Sequence, residues 1–339
     1  MNGERSGHSG YRLRPGEGPI VLAFPHAGTA LPPDLDPPLN ARGRALADTD
    51  WHVDELYEGL LPDATVLVAT HSRYYIDLNR DPTGSSLYPD RNTTGLCPEV
   101  DFAGRSIYEP SKPPGGDEIA RRRDRLHTPY HDELRRQLLR LRRRHPHVLL
   151  FDGHSIRSRL PFLFEGVLPI VNFGSDGGRT CDPAITRLAS AHGASWFGRD
   201  DCVLDGRFRG GWTTRHHADP AAGVHTLQLE LAQRAYLRHE EPPWELDTGK
   251  VAYLRPRLGE LLVALDELLR GELARRPGHD APRREHPDAA ASEGLGERRR
   301  NPPSAPSTDL PGDRRTVHPA NQQPRRRCGC DQPDEELPP

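Results

Sequence analysis

The sequence predicts an α/β fold, a three-layer α/β/α arrangement around a mixed central sheet, in a single domain followed by a disordered C-terminal tail. Three observations carry that expectation. Short apolar runs of strand character alternate with longer stretches of helical periodicity, the pattern of layered α/β proteins. Several of those runs stop on a histidine, an acid or an Asn-Arg pair, and in open α/β sheets ligands bind just beyond the carboxyl ends of strands. The apolar content is 34% of 339 residues, with 32 Gly and 35 Pro. That is low for a wholly globular chain, and the deficit falls almost entirely after Arg275.

Taken in order, Met1–Gly18 is polar and glycine-rich and is expected to be flexible. The folded domain is expected over 19–274. Strand-like runs occupy Ile20–Phe24, Ala64–Ala69, Tyr74–Leu78, Val148–Phe151, Leu168–Phe173 and Thr226–Leu231. Asp50–Leu60 reads as a helix, because Asp50, Val53, Tyr57 and Leu60 share one stripe. A longer helical region spans Asp117–Arg144, with Leu134, Leu138 and Leu141 on one face and an interruption near Pro129. Pro256 is placed to open a last helix through Glu272, whose core face carries Leu258, Leu261, Leu262, Leu265, Leu268 and Leu269. From Arg275 to Pro339 apolar periodicity is lost. Such a composition buries too little surface to offset ordering entropy, so this stretch is expected to be disordered.

A formal net charge of -3 gives no bulk electrostatic support for nucleic-acid binding. The positive charge is nearly all arginine, since Lys112 and Lys250 are the only lysines. The five cysteines, Cys97, Cys181, Cys202, Cys328 and Cys330, make no disulfide framework. With no leader and no membrane-length apolar run in view, a cytoplasmic protein with neither a membrane nor a nucleic-acid partner is expected. No oligomeric state is predicted.

The candidate chemistry gathers at the ends of the apolar runs. His26 follows Ile20–Phe24, and His154 follows Val148–Phe151 through Asp152–Gly153. Two imidazoles at equivalent places can bind a metal, and zinc commonly takes two His and one carboxylate with a fourth position open. Asp152 is a candidate to orient His154. The carboxylate is sought in Asp48–Glu55. Asp50 lies on the inward stripe, where an unpaired carboxylate is costly to bury; it is either a metal ligand or a capping or ion-paired acid. Glu55 is turned away and should be solvated.

Thr226–Leu231 alternates strictly, with Leu227, Leu229 and Leu231 on one face and Thr226, Gln228 and Glu230 on the other. Glu230 is therefore a candidate general base, the alternative being a strand glutamate in an ion pair. Arg73, Arg80 and Arg215 stand near the predicted strand ends. Guanidinium groups bind carboxylates bidentately, so these three suit a small anionic substrate.

With these segments assembled, the chain resembles the N-formylglutamate amidohydrolase family. The resemblance rests on PHAGTALP (Pro25–Pro32), DTDWHVDELY (Asp48–Tyr57), SRYYIDLNRDP (Ser72–Pro82) and DGHS (Asp152–Ser155). It continues through NFGSDGG with CDP (Asn172–Pro183), then GWTTRHH and GVHTLQLEL (Gly211–Leu231), all in the family's order. That family is similar to the wider zinc carboxypeptidase and aspartoacylase group, which has an α/β/α fold and one catalytic zinc. The resemblance implies His26 and His154 as zinc ligands, Glu230 as the catalytic glutamate, and Asn79 with Arg80 as the pair holding a substrate carboxylate. It implies hydrolysis of N-formyl-L-glutamate to formate and L-glutamate, a last step of histidine breakdown. The alternatives are a zinc amidohydrolase for another N-acyl amino acid or small peptide, and a non-catalytic binder of an anionic metabolite. The chain departs from the wider group in lacking a glutamate just after the first histidine, so Asp50 stands as the substitute ligand. His217 takes a place where the family often has an aromatic residue.

Overall fold

In a computed structural model the chain is described over residues 10–35, 37–85, 92–109 and 112–275. The expected disordered tail, apart from Arg275, lies outside the described residues, as do the first nine residues of the expected flexible N-terminus. Seven strands form one mixed sheet: β1 (Tyr11–Arg14), β2 (Ile20–Phe24), β3 (Thr65–Ala69), β4 (Val148–Ile156), β5 (Val171–Gly174), β6 (Cys202–Leu204) and β7 (Val224–Ala232). Their spatial order is β1-β3-β2-β4-β7-β5-β6. The central four, β3-β2-β4-β7, are parallel. β1 runs antiparallel to β3 and β5 antiparallel to β7. Among the described residues seven α-helices accompany them: α1 (Ala41–Arg44), α2 (Val53–Tyr57), α3 (Gly116–Arg122), α4 (Thr128–Arg142), α5 (Pro183–Phe197), α6 (Trp212–His216) and α7 (Thr248–Arg270).

Period-two alternation in the central strands sorts side chains onto two cores. Ile20, Leu22 and Phe24 of β2, Leu149 and Phe151 of β4, and Leu227, Leu229 and Leu231 of β7 pack with residues of α2, α5 and α7. Val21, Ala23, Val148 and Leu150 pack on the other face with Leu134, Leu138 and Leu141 of α4. Further along β4 this second face changes from apolar to polar, through Asp152 to His154. Beside them in register stand Gln228 and Glu230 of β7. The site is built on that change.

Several expectations are corrected. Tyr11–Arg14, inside the segment expected to be flexible, forms β1, because Leu13 is buried and the strand pairs residue by residue with Val66–Ala69. Tyr74–Leu78 is an irregular buried turn rather than a strand. Its backbone is taken up locally: Tyr75 N–H donates to Ser72 O, and Asn79 N–H to the Asp77 carboxylate at 2.9 Å. β4 does not end before Asp152; it runs through His154 to Ile156. The helix expected from Asp50 begins at Val53, because His52 takes a left-handed backbone with φ 58°. The strand expected from Leu168 begins at Val171. The last helix starts before Pro256, at Thr248, where Asp247 caps the N–H groups of Gly249 and Lys250 at 3.0 Å each; Pro256 sits within it on the exposed side. Its leucine face is as expected, with Leu258, Leu261, Leu262 and Leu265 fully buried.

Candidate active site

His26 lies two residues past β2, where Pro25 and His26 turn the chain out of the sheet. Gly28 keeps that exit tight, since a Cβ there would lie 2.5 Å from the backbone at Thr70–His71. Asp50 is brought alongside by its own backbone, whose N–H donates to His26 O at 3.1 Å. His154 comes from β4. Asp50 Oδ2 accepts from Ser155 N–H at 3.1 Å, stands 3.1 Å from His154 Nδ1 and lies 3.7 Å from His26 Nδ1. One donor atom from each of His26, Asp50 and His154 lies within 4.8 Å of the others, all three residues are buried, and the group could hold a metal ion.

The far side of each imidazole is held by a second carboxylate. His26 Nε2 is 2.7 Å from Asp77 Oδ1. His154 Nε2 is 3.1 Å from Asp152 Oδ1, an ion-pair contact without hydrogen-bond alignment. Both rings thus turn Nδ1 toward Asp50. The Nδ1 of His26 is buried with no hydrogen-bond partner, which is costly for a polar atom unless something binds it. Two imidazoles, one carboxylate, an orphaned ring nitrogen and carboxylates behind both rings match the kind of donor set that divalent cations take.

The electrostatics agree. Burial pulls His154 down, but Asp152 and Asp50 outweigh it and hold the imidazole well above its ordinary value. Burial likewise opposes ionisation of Asp50, yet its bond to His154 and the nearby imidazole of His26 hold it below the usual carboxylate range. The cluster therefore gathers positive charge to itself. Asp77, also buried, is driven well down against burial by Arg73, Arg80 and His26. Arg73 spans two of these acids, with Nη2 at 2.7 Å from Asp77 and Nη1 at 3.5 Å from Asp50. It was expected to bind substrate; its guanidinium reaches the cavity but already balances buried carboxylates.

A cavity of about 300 Å³ opens over the cluster, lined among others by His26, His154, Arg73, Asn79, Arg80 and Glu230. Glu230 is where strand alternation places it, opposite His154 in register. Burial pushes its carboxyl up to about 8 against the pull of His154, with Asp50 adding to the rise. Gln228, two residues back on the same face, donates to Glu230 Oε2 at 3.3 Å and accepts from Gly211 N–H at 2.9 Å. Asn79 Oδ1 accepts from Thr213 N–H at 2.9 Å, and its Nδ2 lies 3.2 Å from His154 Nε2. Arg80 is braced on Thr94, through Nε to the carbonyl at 2.8 Å and Nη2 to the hydroxyl at 3.0 Å.

Arg215 does not join this group. It is absent from the cavity wall, and its Nη2 pairs with Asp176 at 3.2 Å. Asp176 belongs to the loop after β5, a partner that local sequence does not reveal. The sequence reading also missed Asp77, which was assigned to a strand, and the cavity residues Phe102, Thr94, Arg207 and Arg209. No local pattern singled out Asp77 in a run read as a strand, and the two arginines carry no signal in so arginine-rich a chain.

A family model described as N-formylglutamate amidohydrolase matches residues 18–237. A curated N-formylglutamate deformylase from Pseudomonas aeruginosa is 41% identical over 251 residues, spanning 74% of this chain and 93% of that protein. One from Pseudomonas putida is 42% identical over 225 residues, spanning 66% and 84%. The chain belongs to the N-formylglutamate amidohydrolase family. The crystal structure of N-formylglutamate amidohydrolase from Ralstonia eutropha JMP134 matches the fold with a TM-score of 0.64 at 26% identity, covering 77% of this chain and 98% of that one. The gene product Atu2144 from Agrobacterium tumefaciens shares the fold, with a TM-score of 0.56 at 17% identity, over 76% and 97%. The N-formylglutamate amidohydrolase match takes in His26, Asp50, Asn79, Arg80, His154 and Glu230; α7 lies beyond it.

Proposed function

We propose that the protein is a zinc-dependent amidohydrolase that cleaves N-formyl-L-glutamate to formate and L-glutamate, a cytoplasmic step of histidine catabolism. The observation that carries this reading is that one cavity exposes His26 and His154 of the buried three-residue cluster, a raised carboxyl at Glu230 and the Asn79–Arg80 pair. The curated relatives named N-formylglutamate deformylase supply the substrate. His26, Asp50 and His154 would hold the ion. When bound, such an ion supplies Lewis acidity toward a carbonyl oxygen and toward water.

The rest falls to the chain's own residues. Glu230 takes a proton from the attacking water as its oxygen bonds to the formyl carbon. It returns that proton to the amide nitrogen as the C–N bond breaks, and the remaining acidic proton of the nascent formic acid passes to the freed amine, so formate and the ammonium form of glutamate leave and the carboxylate is regenerated. Gln228, donating to Glu230 Oε2, fixes the carboxylate in line with the cluster. Arg80 and Asn79 bind one substrate carboxylate. Arg73, with its charge shared between Asp50 and Asp77, orients the substrate's anionic end from the cavity floor.

The deciding experiment is formate release from N-formyl-L-glutamate by protein of measured zinc content, with N-acetyl-L-glutamate run beside it. Formate release that chelation abolishes and zinc restores is the expected result. Cleavage of the acetyl compound alone would move the substrate to another N-acyl amino acid. The absence of both turnover and bound metal would overturn the enzyme reading.

A further inference from the structure

The proposed reaction needs Asn79 and Arg80 held still, yet neither lies on a helix or strand. They sit in an irregular buried turn where their N–H groups bond locally but the carbonyls must find donors elsewhere. The carbonyls on either side of Asn79 find them in one place. Leu78 O lies 2.7 Å from His131 Nε2, and Arg80 O lies 2.9 Å from His127 Nε2. His127 closes a π-helical turn, Arg123–His127, joining α3 to α4, and His131 follows four residues later inside α4. π-Helical turns are rare and concentrate at functional sites. This one sets two imidazoles side by side, with ring centroids 4.4 Å apart.

Each Nε2 faces a carbonyl and so must carry the proton, which leaves His131 Nδ1 as an acceptor. His217 Nε2 lies 3.0 Å from it and donates. His217 follows α6 directly, and α6 also supplies Thr213 N–H to the Asn79 side chain at 2.9 Å. Helix α6 therefore holds Asn79 twice: directly by its side-chain oxygen, and by its backbone through His217, His131 and Leu78. Trp212 closes the cluster, stacked on His216 at 4.0 Å and set edge-on to His131 at 4.5 Å. None of these four histidines, nor Trp212, lines the cavity.

We propose that His127 and His131 are positioning residues that clamp the Asn79–Arg80 turn for binding of the substrate's carboxylate. The proposal rests on the functional reading above, which makes Asn79 and Arg80 the anion-binding pair. The clamp acts on substrate affinity and leaves the metal cluster and Glu230 in place.

The test uses the full zinc-loaded chain and the variants His131→Phe, His131→Gln, His127→Leu and His127→Gln. Glutamine keeps an amide donor near the position of Nε2, whereas phenylalanine and leucine keep none. The readouts are kcat and KM for N-formyl-L-glutamate, the Kd of glutarate by calorimetry, zinc content and the melting temperature. The expected result for His131→Phe is a rise of about 10- to 100-fold in KM and in glutarate Kd, the scale on which small misplacements act. Its kcat and zinc content stay near wild type, and His131→Gln restores most of the affinity. Unchanged glutarate affinity in His131→Phe overturns the clamp, as does an equal loss in the glutamine variant. If His131→Phe does not fold, His127→Leu against His127→Gln decides by the same criteria. Wild-type protein that binds glutarate without turnover defeats the functional reading alone, and the glutarate constants still judge the clamp. Wild-type protein that does neither defeats both.

Discussion

His26 and Asp77 are joined through Nε2 and Oδ1 at 2.7 Å, and this contact decides which face of the imidazole meets the cluster. With the proton on Nε2 directed at a carboxylate, Nδ1 keeps its lone pair for the side where Asp50 and His154 stand. Asp77 can do this because Arg73, four residues earlier, neutralises it at 2.7 Å. A buried acid beside a buried histidine is thereby stable before any ligand arrives.

Replacing Asp77 with asparagine keeps the shape but removes the charge behind His26. Zinc affinity should fall by about 10- to 100-fold, the usual consequence of losing such a partner. Competition with a chromogenic chelator measures it. The variant should also lose stability, because Arg73 is left without its better counter-ion. Wild-type zinc affinity in a folded Asp77→Asn protein would show that His26 is oriented by something else.

Glu230→Gln tests the proposed base. The amide matches the carboxylate in size and can still accept from Gln228, so the cavity keeps its form. Formate release should drop by about 100- to 10,000-fold in kcat, the range assigned to general acid–base groups. Zinc content and KM should change little. A loss confined to KM would make Glu230 a binding residue instead.

Gly211 shows how closely the site is packed. A Cβ there would lie 2.3 Å from both terminal atoms of the Asn79 side chain. Gly211→Ala must displace Asn79, break its bond to Thr213 N–H, or both. The expected outcome is a KM for N-formyl-L-glutamate raised by about 10-fold or more. Gly115→Ala is the control, since nothing lies within 4 Å of its Cβ and its backbone is extended. Equal kinetics in the two variants would exclude a tight Asn79 pocket.

What the sequence disclosed and what it hid follow from the range of the forces involved. Thr226–Leu231 was legible because one strand period sorts Leu227, Leu229 and Leu231 from Gln228 and Glu230, and the structure keeps that sorting. The leucine stripe of α7 was legible for the same reason, with a helical period. Asp50 turned inward as expected but by another route: it precedes the helix, held by a backbone bond to His26, so the stripe argument foresaw its burial through the wrong geometry. Tyr74–Leu78 was misread because a buried apolar run looks like a strand unless a side chain such as Asp77 captures the backbone. Arg215 was misplaced because its partner, Asp176, comes from the loop after β5, remote in sequence, and no local pattern reports such a pairing. The histidine clamp on Leu78 and Arg80 was invisible for that reason too.

That clamp carries a pH signature in stability. Burial pushes His131 well below its ordinary value, and His127 and His217 add to the fall against the opposing Leu78 carbonyl. His217 is pushed down to about 3, by burial first and then by His216 and Arg135. Both rings are neutral in the folded protein, while in the unfolded chain they take up protons near pH 6.5. The unfolded state then binds more protons, so stability falls as pH falls. The contribution is complete above about pH 6.5 and is lost as pH drops from there toward the depressed folded value, about 3 for His217. The slope cannot exceed about 1.4 kcal/mol per pH unit for each histidine. Metal binding is itself pH-dependent, so the decisive comparison is urea unfolding of the metal-free wild type and of a His131→Gln/His217→Gln double variant from pH 7.5 to 5. The double variant starts less stable, having lost the His131–His217 bond, but its decline should be shallower and the two curves should converge in acid. Curves that stay parallel would mean that neither ring is held neutral by the fold.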